Sequence, residues 1–373
     1  MEQLLQWMEM IEDVRQQAKV RHSLKDILAI VLFATLANAD TWEEMEDFAK
    51  NQEAYLRKYL ELKNGIPSHD TIRRAMGMIR TECLQQLQLK WQELLNTNEG
   101  ERIKKIICID GKTMRSNKRG ESKPNHIVSA WSREDGYCLG QKTVDEKTNE
   151  ITAIPQVLDV IQIKGQIVTI DAMGTQREIV EKIKERRADY VLALKRNQGT
   201  LYEDVKLFLM DEKEKEKLKY EGKYFCTIEK AHGQIEIREY YQSEEIKWLS
   251  QKKNWKGLKS IGMEEKTIQR EGKEEKEYRF YISSLKTDME LFSRAVRGHW
   301  SVESMHWQLD VTFREDANHT LDKIAAQNQN VIRKWCLSIL KLLEIRGKKM
   351  SMQRKRFNIS MNPMKYLEEI LEL

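Results

Sequence analysis

Two carboxylates close short apolar runs in this 373-residue chain. Ile106-Ile107-Cys108-Ile109 leads into Asp110, and Ile167-Val168-Thr169-Ile170 leads into Asp171. Runs of this length, rich in β-branched residues, read as buried strands. Neighbouring strands lie about 4.8 Å apart, so side chains at their ends can converge on one metal cluster. Hard oxygen ligands of this kind suit Mg2+ or Mn2+, not zinc. Two such ions, about 3.5–4 Å apart, can activate an attacking oxygen and stabilise the leaving oxygen of a phosphodiester. A strand also ends in Asp simply because a turn follows. For one Asp that explanation suffices; for two, each followed by a small residue (Gly111 and Ala172), it weakens but survives.

A third carboxylate comes from His299-Trp300-Ser301-Val302-Glu303-Ser304-Met305-His306-Trp307-Gln308-Leu309-Asp310. At helical spacing His299, Glu303, His306 and Asp310 share one face. Glu303-x-x-His306 also has the spacing of di-iron bundles, but such a site needs a second pair and two further glutamates on bundle helices. Neither these nor an HExxH motif is found. The bland reading is that both histidines are partly buried helix residues. Trp300 has two readings, a core residue or a platform for a displaced base, the latter worth about 1–3 kcal/mol.

The elements that must position these residues follow from the periodicity. Residues 1–95 read as helical, with Leu24, Ile27, Leu28, Val31 and Leu32 at helical spacing. Ser68 is a candidate N-cap for a helix carrying Ile72, Met76 and Ile79, with Arg73 and Arg74 on its polar face. This segment is either a small helical domain or a DNA-end-binding module of helix-turn-helix character. Strands at 106–110, 126–133 and 137–145 follow, with Asp135-Gly136 as a hairpin turn. A helix over 150–162, a strand over 167–171, a helix capped by Thr175-x-x-Glu178 and a strand over 190–194 complete a β-β-β-α-β-α-β order. That order is the one of an RNase H-like mixed sheet. Residues 198–217 look helical and end in a charge run read as a solvated face. Residues 223–286 alternate like strands and form a β-rich insertion. Helical periodicity resumes over 287–348, and 349–373 is left as a C-terminal tail.

Composition sets the bounds. Hydrophobic residues make up 40% and charged residues 33%, which fits a globular chain of two or three domains. The net charge of +5 says little, so its distribution matters more. Between Glu101 and Lys123 eight basic residues face three acids, an excess equal to that of the whole chain. Such a stretch would neutralise DNA phosphates, or is a solvated loop. Lys195 and Arg196, directly after a core strand, are better placed to meet DNA. Five scattered cysteines without a CxxC pair argue against a thiolate zinc site or a disulfide framework and fit a reducing cytosol. No leader pattern is read at the N-terminus. The most apolar stretch, Ile27 to Ala37, is shorter than the roughly 20 residues a membrane span needs.

Taken together, Cys108-Ile109-Asp110-Gly111-Lys112, Val168 to Gln176, Ala193-Leu194-Lys195-Arg196-Asn197-Gln198 and His299 to Asp310 with Val311-x-Phe313-x-Glu315-Asp316 resemble the DDE insertion-sequence transposases, in their H-repeat-associated branch. The blocks stand in the family's order and span essentially the whole chain. The resemblance implies a metal-dependent polynucleotidyl transferase with Asp110, Asp171 and Glu303 as catalytic, metal-holding triad and two Mg2+ or Mn2+ ions. It implies an RNase H-like core interrupted by the β-rich insertion, ahead of the Glu-bearing helix. Its partners would be double-stranded DNA, namely terminal inverted repeats and target, with a homodimer assembling on paired ends in the cytoplasm, on the nucleoid. Lys112, Lys195, Arg196, His232, Arg238, His299 and Trp300 are the candidate DNA contacts. Relatives often carry Tyr, Arg and Lys at seven and four positions before the Glu and seven after it. This chain has Val296, His299 and Asp310 there, so phosphate contacts cannot be copied from that pattern. Asp310 and Glu315 stand as alternative third ligands. A DNA-binding protein without transposition and an RNase H-like nuclease without strand transfer are the rival functions.

Overall fold

The computed structural model describes residues 2–95, 104–115, 123–144, 149–231, 233–345 and 347–372. Six helices open the chain: α1 (Glu2–Glu9), α2 (Leu24–Leu36), α3 (Trp42–Asn51), α4 (Glu53–Leu56), α5 (His69–Met78) and α6 (Thr81–Leu95). Helix α2 is buried along almost its whole length, because its apolar residues run all round it. Ser68 caps α5, as its spacing predicts, by accepting from the Thr71 amide.

Among the described residues nine strands form one sheet in the order β3-β2-β1-β4-β5-β9-β8-β7-β6. These are β1 (Ile106–Thr113), β2 (His126–Ser132), β3 (Tyr137–Val144), β4 (Ile167–Ile170), β5 (Asp189–Leu194), β6 (Tyr224–Ala231), β7 (Gln234–Ser243), β8 (Ser260–Arg270) and β9 (Lys273–Ser283). Strands β1, β4 and β5 run parallel, and all other neighbours are antiparallel. Crossovers between parallel strands need helices, and α7 (Glu150–Val160) and α8 (Arg177–Glu185) supply them. The β-rich segment after residue 223 does not stand apart. Its last strand pairs with β5, so it extends the sheet that carries Asp110 and Asp171.

Three expectations need correcting. Thr175 does not cap α8; Gln176 holds that position, and the Thr175 hydroxyl donates to the Ala193 carbonyl at 2.7 Å. The helical stretch near 198–217 is broken at Asp211, which ends α9 (Thr200–Met210) and caps α10 (Glu212–Tyr220). Within the charge run Lys215 is buried against Glu265 at 3.1 Å, so the run is not a wholly solvated face.

The sheet is covered on both faces, and strand alternation assigns each residue to one of them. Ile107, Ile109, Val168 and Ile170 pack with α7 and α8. Ile106, Cys108 and Ile167 pack on the other face with α11 (Met289–Val311) and α12 (Lys323–Leu342). Buried Lys334 of α12 fixes this second layer by donating to Ser129 Oγ at 2.7 Å and Gln141 Oε1 at 2.6 Å. Residues 349–373 are not a tail. They form α13 (Met352–Met361) and α14 (Pro363–Glu372), and Ile359, Leu367 and Ile370 join the core of α2, α5 and α12. Charge locks that junction: fully buried Arg356 donates to both carboxylate oxygens of buried Asp40, at 2.6 and 3.3 Å. Such buried pairing is needed because an isolated charge would be costly there. Among the described residues no helix is long and apolar enough to cross a membrane.

Candidate active site

Parity and register bring the two aspartates together. Asp110 follows Ile106 and Cys108 at even spacing, and Asp171 follows Ile167 and Thr169, so both point to the α11 face. The parallel register pairs Cys108 with Thr169 and Ile109 with Ile170; one step further, 110 stands beside 171. Asp171 follows the last β4 residue and opens a 3-10 turn over Ala172–Gly174, where its carboxylate accepts from the Ala172 amide. Side-chain amides brace this turn: Asn197 and Gln198 donate to the Ala172 carbonyl at 2.9 and 2.8 Å.

Helix α11 crosses this end of the sheet along β1. The Cys108 thiol donates to the Gly298 carbonyl at 3.2 Å, and a Cβ at 298 would lie 2.5 Å from Arg133 Cδ, so glycine permits the close approach. One turn on, Glu303 reaches the same cleft as the aspartates. Asp110, Asp171 and Glu303 line a cavity of about 960 Å3 together with Lys195, Arg196, Arg279, His299 and Trp300. Farther along, His306 Nδ1 stands 3.4 Å from Asp110 Oδ2. The predicted shared face of His299, Glu303, His306 and Asp310 therefore meets Thr169 of β4, the cleft, and Asp110 and Lys112 of β1 in turn.

The electrostatics differ among the three carboxylates. Burial alone would raise the Asp110 carboxyl, but the hydrogen bond and charge of His306, with His299 and the Gly111 amide, bring it below its ordinary value. Burial and the neighbouring Asp110 charge push the Glu303 carboxyl up. Burial pulls the His299 imidazole down against the attraction of Asp110 and Asp171. Its Nδ1 lies 3.1 Å from Thr169 Oγ1.

In donor chemistry the cleft fits divalent cations: four carboxylates line it (Asp110, Asp171, Glu277 and Glu303) and no thiolate, Glu277 is taken up by Arg279, and Glu303 has no hydrogen bond or ion pair to any described residue. Among the described residues no three carboxylate, imidazole or thiolate groups stand ready around a single ion. The carboxylates thus share a cleft rather than a closed cage.

Comparisons with known proteins identify the family. The family described as "Transposase DDE domain" matches residues 101–339, and "DDE_Tnp_1-associated" matches residues 5–92. The chain is 39% identical to "Putative transposase YncI" of Escherichia coli O157:H7, over 99% of this chain and 94% of that one. It is 37% identical to "H repeat-associated putative transposase YhhI" of Escherichia coli strain K12, over 91% and 90%. The chain belongs to the DDE transposases, in their H-repeat branch.

In this transposase the expected DNA contacts separate into groups. Lys195 and Arg196 are exposed on the cleft, and Lys195 Nζ lies 3.2 Å from Asp171 Oδ1. His299 lines the cleft beside them. Trp300, read as either a core residue or a base platform, also lines it, with Arg279 over its ring at 4.3 Å from the centroid. Lys112 is a correction. Its side chain is only 11% exposed, and its ammonium binds Asp310 at 2.7 Å, Glu315 at 2.8 Å and Asp316 at 3.5 Å. Three acids already surround it and tie β1 to the end of α11, so it is not the free cation expected. The same contacts occupy Asp310 and Glu315, neither of which lines the cavity with Asp110, Asp171 and Glu303. Glu315 is fully buried, further bound by Asn330 at 2.7 Å and faced by Arg333 at 3.6 Å. Arg238 is a second correction. It is 6% exposed and binds Glu236 at 2.5 Å and Glu264 at 3.4 Å, inside the sheet's own ion-pair network. His232, residues 101–103 and residues 116–122 lie outside the described residues. Sequence reasoning missed Arg279. The only sequence signal for it was the alternation of Arg279-Phe280-Tyr281-Ile282, which marks a strand but not what its polar residues face.

Proposed function

We propose that this transposase is a metal-dependent polynucleotidyl transferase. It cleaves double-stranded DNA at the terminal inverted repeats and joins the ends to target DNA. Asp110, Asp171 and Glu303 would hold two Mg2+ or Mn2+ ions. When bound, such ions activate a water or a DNA 3′-hydroxyl and stabilise the leaving 3′-oxygen. The observation that carries this reading is the adjacent register of Asp110 and Asp171, one step past the last paired residues of parallel strands β1 and β4, with Glu303 lining the same cleft. The order β3-β2-β1-β4-β5, with only β2 antiparallel to the rest of that set, supports an RNase H-like core.

The chain's own residues supply binding and orientation. Asn197 and Gln198 fix the turn that presents Asp171. Thr169 orients the His299 ring. Lys195 and Arg196 offer cations to backbone phosphates at the cleft edge, a sequence-independent attraction. Paired transposon ends call for a homodimer on DNA.

The test is cleavage and strand transfer of end DNA in Mg2+ or Mn2+. Asp110→Asn, Asp171→Asn and Glu303→Gln should each abolish both while leaving DNA binding intact. Their effects should not add, because each disables one cluster. Asp310→Asn and Glu315→Gln should act through stability, since both acids pair with Lys112. Full activity in Glu303→Gln would remove it from the triad. Loss of chemistry in a stably folded Asp310→Asn would move the role there.

A further inference from the structure

The sheet register extends the cleft beyond the aspartates. Ile170 pairs with Leu192, and Ala193 pairs with Tyr281. Continuing the β1–β4 and β4–β5 registers by one step gives a row of Asp110, Asp171, Ala193 and Tyr281, all four of which line the cavity. Two residues along, roughly 7 Å at strand rise, the same face carries Lys195 and Arg279. Leu194 pairs with Phe280, so the next step sets Lys195 against Arg279. Carboxylates thus form one row and cations the next.

Arg279 differs from a freely moving surface cation. Its guanidinium lies over Trp300, and its Nε and Nη2 both donate to Glu277 Oε1, at 2.9 and 2.8 Å. Nη1 donates to no described residue. Glu277, Trp300 and Arg279 all line the cavity. The side chain is therefore held in place while one edge of its donor fork stays available. A guanidinium presents paired N–H groups that match phosphate oxygens, which an ammonium cannot do. Stacking on an aromatic ring reduces the freedom it must lose on meeting a ligand.

We propose that Arg279 is a ligand of a DNA backbone phosphate, presented by Trp300 and Glu277 beside the row of carboxylates. This rests on DNA being the substrate, as proposed above, but not on the metal chemistry. Trp300 then acts as a positioning residue for Arg279 rather than as a base-stacking platform. Lys195, opposite in register, contacts the phosphate backbone as a mobile point charge, whereas Arg279 fixes one phosphate in place.

The experiment measures binding of the full-length protein in EDTA, so that cleavage does not intervene. The probe is a short duplex copied from DNA flanking the coding sequence, unmodified or carrying one methylphosphonate at each position in turn. Arg279→Ala should weaken binding about 10-fold or more, the scale of a charged hydrogen bond, and reduce the salt slope by about 1. Arg279→Lys should keep the salt slope but not the full affinity. One methylphosphonate position should weaken wild-type binding by a similar factor and leave Arg279→Ala almost unaffected. If the two changes multiply independently at every position, or if Arg279→Ala binds like wild type, the assignment is wrong. Circular dichroism checks folding, and if Arg279→Ala unfolds, the same cycle is read with Arg279→Lys. A wild-type protein that binds no duplex overturns the DNA reading itself. Bound DNA with no coupling overturns Arg279 alone.

Discussion

Lys112 and Lys195 look alike in the sequence. Each follows a core strand's carboxylate or apolar end by a residue or two, and each reads as a cation for phosphate. In the fold they do opposite things. Lys112 remains within β1, whose parity turns it inward under the end of α11, among Asp310, Glu315 and Asp316. Lys195 lies just past the end of β5, its side chain is 69% exposed, and among the described residues its ammonium pairs only with Asp171 on the open cleft. A lysine's role here is set by whether its strand continues past it. If it continues, the side chain is bound to a face and must be neutralised. If it stops, the charge is left to solvent and substrate.

This comparison can be broken most directly at Lys112. Lys112→Ala removes the one cation that Asp310, Glu315 and Asp316 share, leaving only Arg333 against buried Glu315, and stability should fall by about 3–5 kcal/mol. Chemical denaturation measures it; a loss under about 1 kcal/mol would mean the acids relax into water. The next effect concerns pH. Burial would raise the Glu315 carboxyl, but Lys112 and Arg333 hold it down at about 2. A depressed carboxyl stabilises the fold fully above its unfolded value near 4.5, and that contribution fades as pH falls towards 2. Glu315→Gln should therefore flatten the acid limb of stability between roughly pH 4.5 and 2. An acid limb of unchanged steepness in that variant would place the responsible carboxylates elsewhere. The smallest effect on stability belongs to Lys195→Ala, within about 0.5 kcal/mol. Its DNA affinity should nevertheless drop for all sequences alike, with the salt slope lower by about 1. Sequence-selective loss would turn Lys195 from a phosphate contact into a base reader.

The same division explains what could be read from the chain. The strands carrying Asp110 and Asp171 were legible because short β-branched runs, parity and turn residues are local signals. The spacing of His299, Glu303, His306 and Asp310 gave their common face for the same reason. Partners were not legible, since pairing is a matter of distance in space. Arg238 finds Glu264 across a strand pair, and Lys112 finds Glu315 more than two hundred positions away. The joining of β9 to β5 was hidden likewise, because no pattern within 223–286 reveals which edge its strands extend. Residues 349–373 looked like a tail because α13 carries buried Lys355 and Arg356 where a core helix ordinarily shows apolar residues.

The Asp40–Arg356 junction also bears on the order of events during synthesis. Helices α2 and α3 leave the ribosome early, as N-terminal segments do. Yet Asp40 between them is bound by Arg314 and Arg356, which follow it by 274 and 316 residues. Until those arginines emerge, its carboxylate must stay in water or be buried unpaired, and the latter is costly. An earlier-made segment is thus completed by one made some three hundred residues later. A transcript or insertion event that stops the chain before Arg356 would strand the N-terminal helices with an unanswered charge, a ready substrate for proteolysis.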